Sequence, residues 1–310
     1  MNPNTPPQPL LDRSTLIVPL SSERFIAKAH LRGADSIMLD LEDGVAPNAK
    51  AAARERLASA VKEVSRGGAR VKVRINRPLD MVVRDIEAAV IPGVSVLHIA
   101  KVESPSHVHL LADLVAKLEA ERGLAAMSVT LAASLETPAA FRQVYEIAAA
   151  HPRLTTIGLG PEDFSAECGF DPTPEALFYP KQVTLFAAKA AGIMASGYMG
   201  SIADFTDLDA FRAVIRRSRK LGYRGGACIH PDQVAVLNEE FAPSAQEVID
   251  AQAIVDEARA QFAKGVGAFP YKGKMIDMPV VNRALEIVQV AAAIVAQAAH
   301  AQRTRVLLGK

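Results

Sequence analysis

A chain of 310 residues, 50% of them apolar and 22% charged, can bury one large core or two small ones and is not a disordered polypeptide. A net charge of +1 and the lack of any tryptophan exclude a general electrostatic grip on nucleic acid or anionic lipid, and a stacking surface for bases. Two cysteines, Cys168 and Cys228, exclude a disulfide framework and a cysteine-built zinc centre.

The first 13 residues, MNPNTPPQPLLDR, are polar and Pro-rich, without the basic and apolar regions of a secretory leader. They predict a flexible tail over 1–12 on a cytoplasmic protein. Short β-branched runs then recur: Thr15–Pro19, Ser36–Leu41, Arg70–Ile75, Ser95–Ala100, Ser128–Ser134, Thr155–Gly160, Met194–Met199 and Gly226–Ile229. Helical stretches lie between them, among them Lys50–Val64, Ser106–Arg122, Ala139–Ala150, Pro180–Ala191 and Asp207–Leu221. Alternating β and α elements imply a parallel sheet, and near-continuous apolar strands imply that both its faces are covered. Eight units over 13–242 fit an α/β fold of the (β/α)₈ TIM-barrel class. An open doubly wound sheet commonly carries GxGxxG or GxxxxGK[ST], and neither occurs. Residues 243–310 form a mostly helical C-terminal extension with a Gly-rich break at Lys264–Lys274, expected to pack on a neighbouring subunit. Within it Val288–Ala299 is too short to span a bilayer and predicts a packed helix.

Barrel enzymes carry their chemistry at the C-terminal ends of the strands. The second strand ends in Asp40, Glu42 and Asp43, the third at Arg74 and Asn76, and the fourth runs into Lys101 and Glu103. The fifth delivers Glu136, the sixth Glu162 and Asp163, and the eighth His230. Carboxylates with waters and a chelating substrate suit Mg²⁺. Glu136 and Asp163, on adjacent strands, can reach one ion, with Glu162 as an alternative to Asp163. Arg74 offers a planar fork for a substrate carboxylate. Metal and arginine together suit a 2-oxo acid and C–C bond chemistry beside an enolate. His107 and His109 lie two apart on a helix and so do not share a face, and Arg212–Arg219 reads as a solvated helix face.

LDLEDGVAP (39–47), VKVRIN (71–76), AKVES (100–104), SLETPAA (134–140), GPEDFSAECG (160–169), CIHPDQV (228–234) and GKMIDMPVV (273–281) together resemble the HpcH/HpaI aldolase and citrate lyase β-subunit family, on its CoA-ester lyase branch. The resemblance implies a TIM barrel assembled into trimers or hexamers, with Glu136 and Asp163 as Mg²⁺ ligands and Arg74 on the substrate carboxylate. It implies that Asp277 is an acidic catalytic residue inserted from a neighbouring subunit. Ile229 and His230 would form a substrate-contacting turn, and Arg24 and Lys28 would meet the CoA ester. One departure stands out: the family's VPG turn after the first strand is Val18-Pro19-Leu20 here, and leucine does not permit the close backbone approach that glycine does. Asp277, just before Pro279, also reads as a helix cap.

The implied activity is an Mg²⁺-dependent carbon–carbon lyase. It would cleave or form a malyl-, methylmalyl- or citramalyl-CoA, giving a 2-oxo acid and an acyl-CoA thioester. The alternatives are a CoA-independent pyruvate-type aldolase, or a citrate lyase β-like subunit acting on a carrier thioester within a complex.

Overall fold

The computed structural model describes residues 11–201 and 206–307, so most of the expected N-terminal tail lies outside the described residues. Asp12–Phe241 forms one compact unit, and Ala242–Arg303 belongs to a second.

In the first unit eight strands run parallel: β1 (Ser14–Pro19), β2 (Ser36–Asp40), β3 (Arg70–Ile75), β4 (Val94–Ile99), β5 (Thr130–Leu135), β6 (Leu154–Leu159), β7 (Met194–Ser196) and β8 (Gly226–Cys228). Their order is β7-β6-β5-β4-β3-β2-β1-β8, so β1 is flanked by both β2 and β8. The ring closes between β7 and β8 through a hydrogen bond from Gly197 N to the Gly225 carbonyl (2.8 Å) and one from the Tyr198 hydroxyl to the Ala227 carbonyl (3.1 Å). This is the expected TIM-barrel class.

The two faces of the strands differ more than the apolar runs suggest. Ile37, Leu39, Val71, Val73, Leu97, Ile99, Leu131 and Ile157 belong to the main apolar core. Residues of opposite parity (Met38, Lys72, His98, Ala132, Thr156, Gly158) line a cavity in the barrel. The floor is a buried polar network. Lys72 pairs with Asp12 and donates to Thr15 (2.9 Å), and Ser36 donates to Asp12 (2.6 Å).

Several expected helices have different bounds. Lys50–Val64 is two helices, Lys50–Glu55 and Leu57–Val64, because Arg56 N turns back to the Ala53 carbonyl. Ala139–Ala150 is likewise two short helices, Pro138–Phe141 and Val144–Ala148. The helix expected from Pro180 begins at Pro174, where Thr173 accepts from Ala176 N. Pro180 sits inside that helix, a placement that periodicity alone does not allow for.

The second unit contains helix Ala245–Ala263, the antiparallel pair Phe269–Tyr271 and Lys274–Ile276, and helix Met278–Leu307 as far as Arg303. Ala258, Phe269, Ile276 and Val281 form a small core there. The last helix corrects the expectation of a short packed segment. Its apolar stretch starts upstream, and Met278–Ala299, 22 residues, is long and apolar enough to cross a membrane by length and composition. Among its described side chains only Val281 and Ala284 are buried.

Candidate active site

The cavity opens at the C-terminal ends of the strands, has a volume of about 880 Å³, and takes Arg24, Lys28, Arg74, Glu136, Asp163, Ile229 and His230 into its lining. All expected site residues of the barrel therefore border one cavity. Asp277 lies in the other unit, where its Oδ1 accepts from Val280 N (3.3 Å) and caps the last helix.

The loop after β2 organises the site. Asp40 is wholly buried, and its carboxylate accepts from Glu42 N and Gly44 N (2.8 Å each). The same carboxylate grips Arg74 in a fork, with Nε and Nη2 each donating at 2.7 Å, while Arg74 Nη1 lies 3.3 Å from Glu42. Arg74 is thus oriented before any ligand arrives, and these carboxylates outweigh burial to hold its pKa above the usual arginine value. Lys50 braces the loop from behind, donating to the Leu41 carbonyl (2.9 Å), the Glu42 carbonyl (2.8 Å) and Asn76 Oδ1 (2.7 Å).

Glu136 ends β5 and is 6% exposed. Its neighbour Gly160 has no side chain for a reason: a Cβ there would sit 2.6 Å from Glu136 Cγ. Burial, and then the charge of Asp163, push the Glu136 carboxyl up to about 7, against the pull of Lys101. Asp163 lies in the first turn of helix Pro161–Cys168. Glu162, its rival as a ligand, accepts from Ser201 and bears electrostatically on Lys181 instead.

Lys101 joins these groups, although the sequence marked it only as one polar residue among many. It donates to Glu42 (2.6 Å) and Asp43 (3.2 Å) and lies 3.7 Å from Asp163 and 3.9 Å from Glu136. Burial would lower its pKa, but Glu42, Glu136 and Asp163 raise it above the usual lysine value. Among the described residues no three His, Cys, Asp or Glu side chains converge as a closed metal cage. Two hard carboxylate donors beside open cavity fit an ion that completes its shell with water and substrate.

Helix Glu23–Ala29 buries Ile26 and Ala29 and turns Arg24, Phe25 and Lys28 to the cavity. Arg32, which the sequence reading missed, also lines it and continues the four-residue spacing of the other two cations. Leu20, the departure from the family's turn, is fully buried, and its N–H donates to the Asp40 carbonyl (3.0 Å). It therefore does not occupy the cavity. His230 caps helix Pro231–Glu240, its Nδ1 accepting from Asp232 N (3.3 Å). Deeper, His98 meets Ser134 at 2.7 Å, and burial, with Arg74 and Lys72 nearby, lowers its pKa to about 3.

The HpcH/HpaI aldolase/citrate lyase family profile matches residues 13–231. The citrate lyase subunit beta of Leuconostoc mesenteroides subsp. cremoris is 32% identical over 285 residues, 91% of this chain and 93% of that protein. The L-malyl-CoA/beta-methylmalyl-CoA lyase of Cereibacter sphaeroides is 32% identical over 308 residues, 92% of this chain and 96% of that protein. A crystal structure of CitE from Mycobacterium tuberculosis, in complex with magnesium, acetoacetate and coenzyme A, has a TM-score of 0.72 to this chain. It is 26% identical and covers 91% of this chain and 99% of that one.

Proposed function

Since the chain belongs to the HpcH/HpaI aldolase/citrate lyase family and is a carbon–carbon lyase, we propose that it cleaves, or in reverse forms, a short 3-hydroxyacyl-CoA with a distal carboxylate, such as malyl-, methylmalyl- or citramalyl-CoA. The observation that carries this reading is the cavity mouth, where paired carboxylates, a pre-oriented arginine and a cationic helix face one another. The likeness to relatives named for malyl-CoA and to a structure holding magnesium and coenzyme A supports it.

In this reading Glu136 and Asp163 hold Mg²⁺, which when bound polarises the oxo oxygen of the 2-oxo acid. Arg74 is held by Asp40 through Nε and Nη2 and lies against Glu42 through Nη1, and the N–H groups left over on its two terminal nitrogens are those it would offer the substrate carboxylate. Arg24 and Lys28 take the CoA phosphates, and Ile229 and His230 border the acyl group. In cleavage the C3 hydroxyl gives up its proton to water, from which the Asp277 carboxyl is reprotonated after each turnover, and the C2–C3 bond breaks. The bonding pair goes to C2 as the acyl-CoA enolate, and the carboxyl of Asp277 from a neighbouring subunit returns a proton to that carbon. The unit Ala242–Arg303 would thus serve as an extension that packs on the next subunit of a homotrimer or hexamer, in the cytoplasm.

The test is a panel of CoA esters assayed with product identification, in Mg²⁺ and in EDTA. Mg²⁺-dependent release of a 2-oxo acid and an acyl-CoA is expected. Equal cleavage of the CoA-free hydroxy acids would replace the reading with a pyruvate-type aldolase, a rival weakened by the burial of Leu20. Activity only on a carrier thioester with partner subunits would replace it with a citrate lyase β-like role.

A further inference from the structure

Four carboxylates from the ends of β2, β5 and β6 surround the Lys101 ammonium. Glu42 lies 2.6 Å away, Asp43 3.2 Å, Asp163 3.7 Å and Glu136 3.9 Å. The lysine reaches them from a left-handed backbone (φ 51°), a conformation that L residues avoid unless the surroundings hold them in it. Arg74, the other cation nearby, is engaged by Asp40 and Glu42. Lys101 is therefore the group that bridges Glu136 and Asp163, and its positive charge lies where a divalent ion held by those two carboxylates would feel it.

We propose that Lys101 is a positioning residue that stands in for the divalent ion: it keeps Glu136 and Asp163 together when no metal is bound and, by repulsion, keeps Mg²⁺ weakly bound until a 2-oxo acid arrives. The proposal rests on the reading of Glu136 and Asp163 as the Mg²⁺ ligands. Competition for the same two carboxylates explains the coupling. A divalent ion held by Glu136 and Asp163 would share them with the Lys101 ammonium, which lies 3.9 and 3.7 Å away, and the two cations repel each other. A 2-oxo acid places a negative charge beside both cations and offsets that repulsion. Metal and 2-oxo acid then bind with positive cooperativity, each strengthening the other by the same factor. Like-charge repulsion at this range is strong enough to matter in a partly buried site.

The experiment is titration calorimetry of the full chain with Mg²⁺, with and without pyruvate or glyoxylate, on the wild type and on Lys101→Met, which keeps an unbranched stem one atom shorter and removes the charge. Lys101→Met should bind Mg²⁺ alone at least tenfold tighter than the wild type, and its affinity should gain less from the 2-oxo acid. Metal-free Lys101→Met should also melt below the metal-free wild type, and Mg²⁺ should raise its melting temperature more. Equal or weaker Mg²⁺ binding by Lys101→Met would overturn the proposal while leaving the metal site in place. Absence of Mg²⁺ binding to both proteins, even with the 2-oxo acid, would overturn the ligand assignment and the proposed function with it. Should Lys101→Met fail to fold, Lys101→Gln carries the same expectations.

Discussion

Arg74 owes its orientation to two 2.7 Å bonds to one buried carboxylate, and a lysine ammonium cannot reproduce that paired contact. Arg74→Lys should therefore lose ~2–3 kcal/mol of transition-state stabilisation, roughly 30- to 150-fold in kcat/KM, even though the charge is kept. A kinetic profile equal to that of the wild type would place Arg74 outside the substrate's reach. Glu136→Ala and Asp163→Ala should each abolish Mg²⁺-dependent turnover with an unchanged circular dichroism spectrum, since neither side chain belongs to the apolar core. Glu136 also gives a pH signature. Its folded pKa is raised to about 7, so its ionised form opposes folding, fully so above that pH and not at all below its unfolded value of about 4.3. Without metal, Glu136→Gln should gain stability over the wild type between about pH 5 and 8 in urea titrations. A constant difference across that window would mean that Glu136 is not desolvated.

At the scale of elements, the carboxylate of Glu119 fastens helix Pro105–Glu121 to the strands on either side of the β5–β6 connection. It accepts from Val129 N (2.8 Å), Met127 N (3.1 Å), Ser128 (3.1 Å) and both Arg153 terminal nitrogens (2.9 Å each). Removing one partner of such a buried pair leaves the other charge uncompensated, so Glu119→Ala should cost ~3–5 kcal/mol of stability. Burial alone would raise the Glu119 pKa, but the bonds from Arg153, Val129 and Met127 outweigh it and hold it below the usual value. Its contribution is therefore complete above the unfolded glutamate range and is lost as pH falls through the lower folded value. The stability gap between wild type and Glu119→Gln should close on acidification; a gap independent of pH would refute the pairing. These tethers were not legible in the sequence, because Glu119 and Arg153 meet only once the barrel has formed. The strands were legible, since apolar β-branched runs bounded by turns announce themselves locally. Helix breaks at Arg56 and near Arg142 were not, being set by tertiary fit. Glu136, Asp163 and Arg74 could be placed on the cavity lining from the sequence because the fold class says where strand ends converge. Lys101 and Arg32 have no local mark beyond being polar, and Asp277 came from resemblance alone.

For the molecule as a whole, the sharpest expectation concerns Asp277. If it acts on a neighbour's substrate, mixing inactive Asp277→Ala and Glu136→Ala chains after reversible dissociation should restore activity, because some mixed sites then hold an intact metal shell and an intact Asp277. A dead mixture, with mixed oligomers verified by native mass spectrometry, would confine Asp277 to its own chain, for example as the helix cap it already is. The way the ring closes also has a consequence in time. β1 finds β2 soon after it is made, but its other edge has no partner until the ribosome has reached Gly226. The clamps at that edge, from Arg13 to the Asn238 carbonyl (3.1 Å) and from Ser14 to Asn238 (2.7 Å), come later still. Nor does Gly225 tolerate a substitute in completing the seam, since any Cβ there would run into the Asp12 carbonyl. For most of its synthesis, then, the nascent chain carries an open strand edge, the kind of surface on which unfinished chains pair with one another. Chains released before residue 226 should aggregate, whereas chains released after 241, which hold β8 and Asn238, should close the ring.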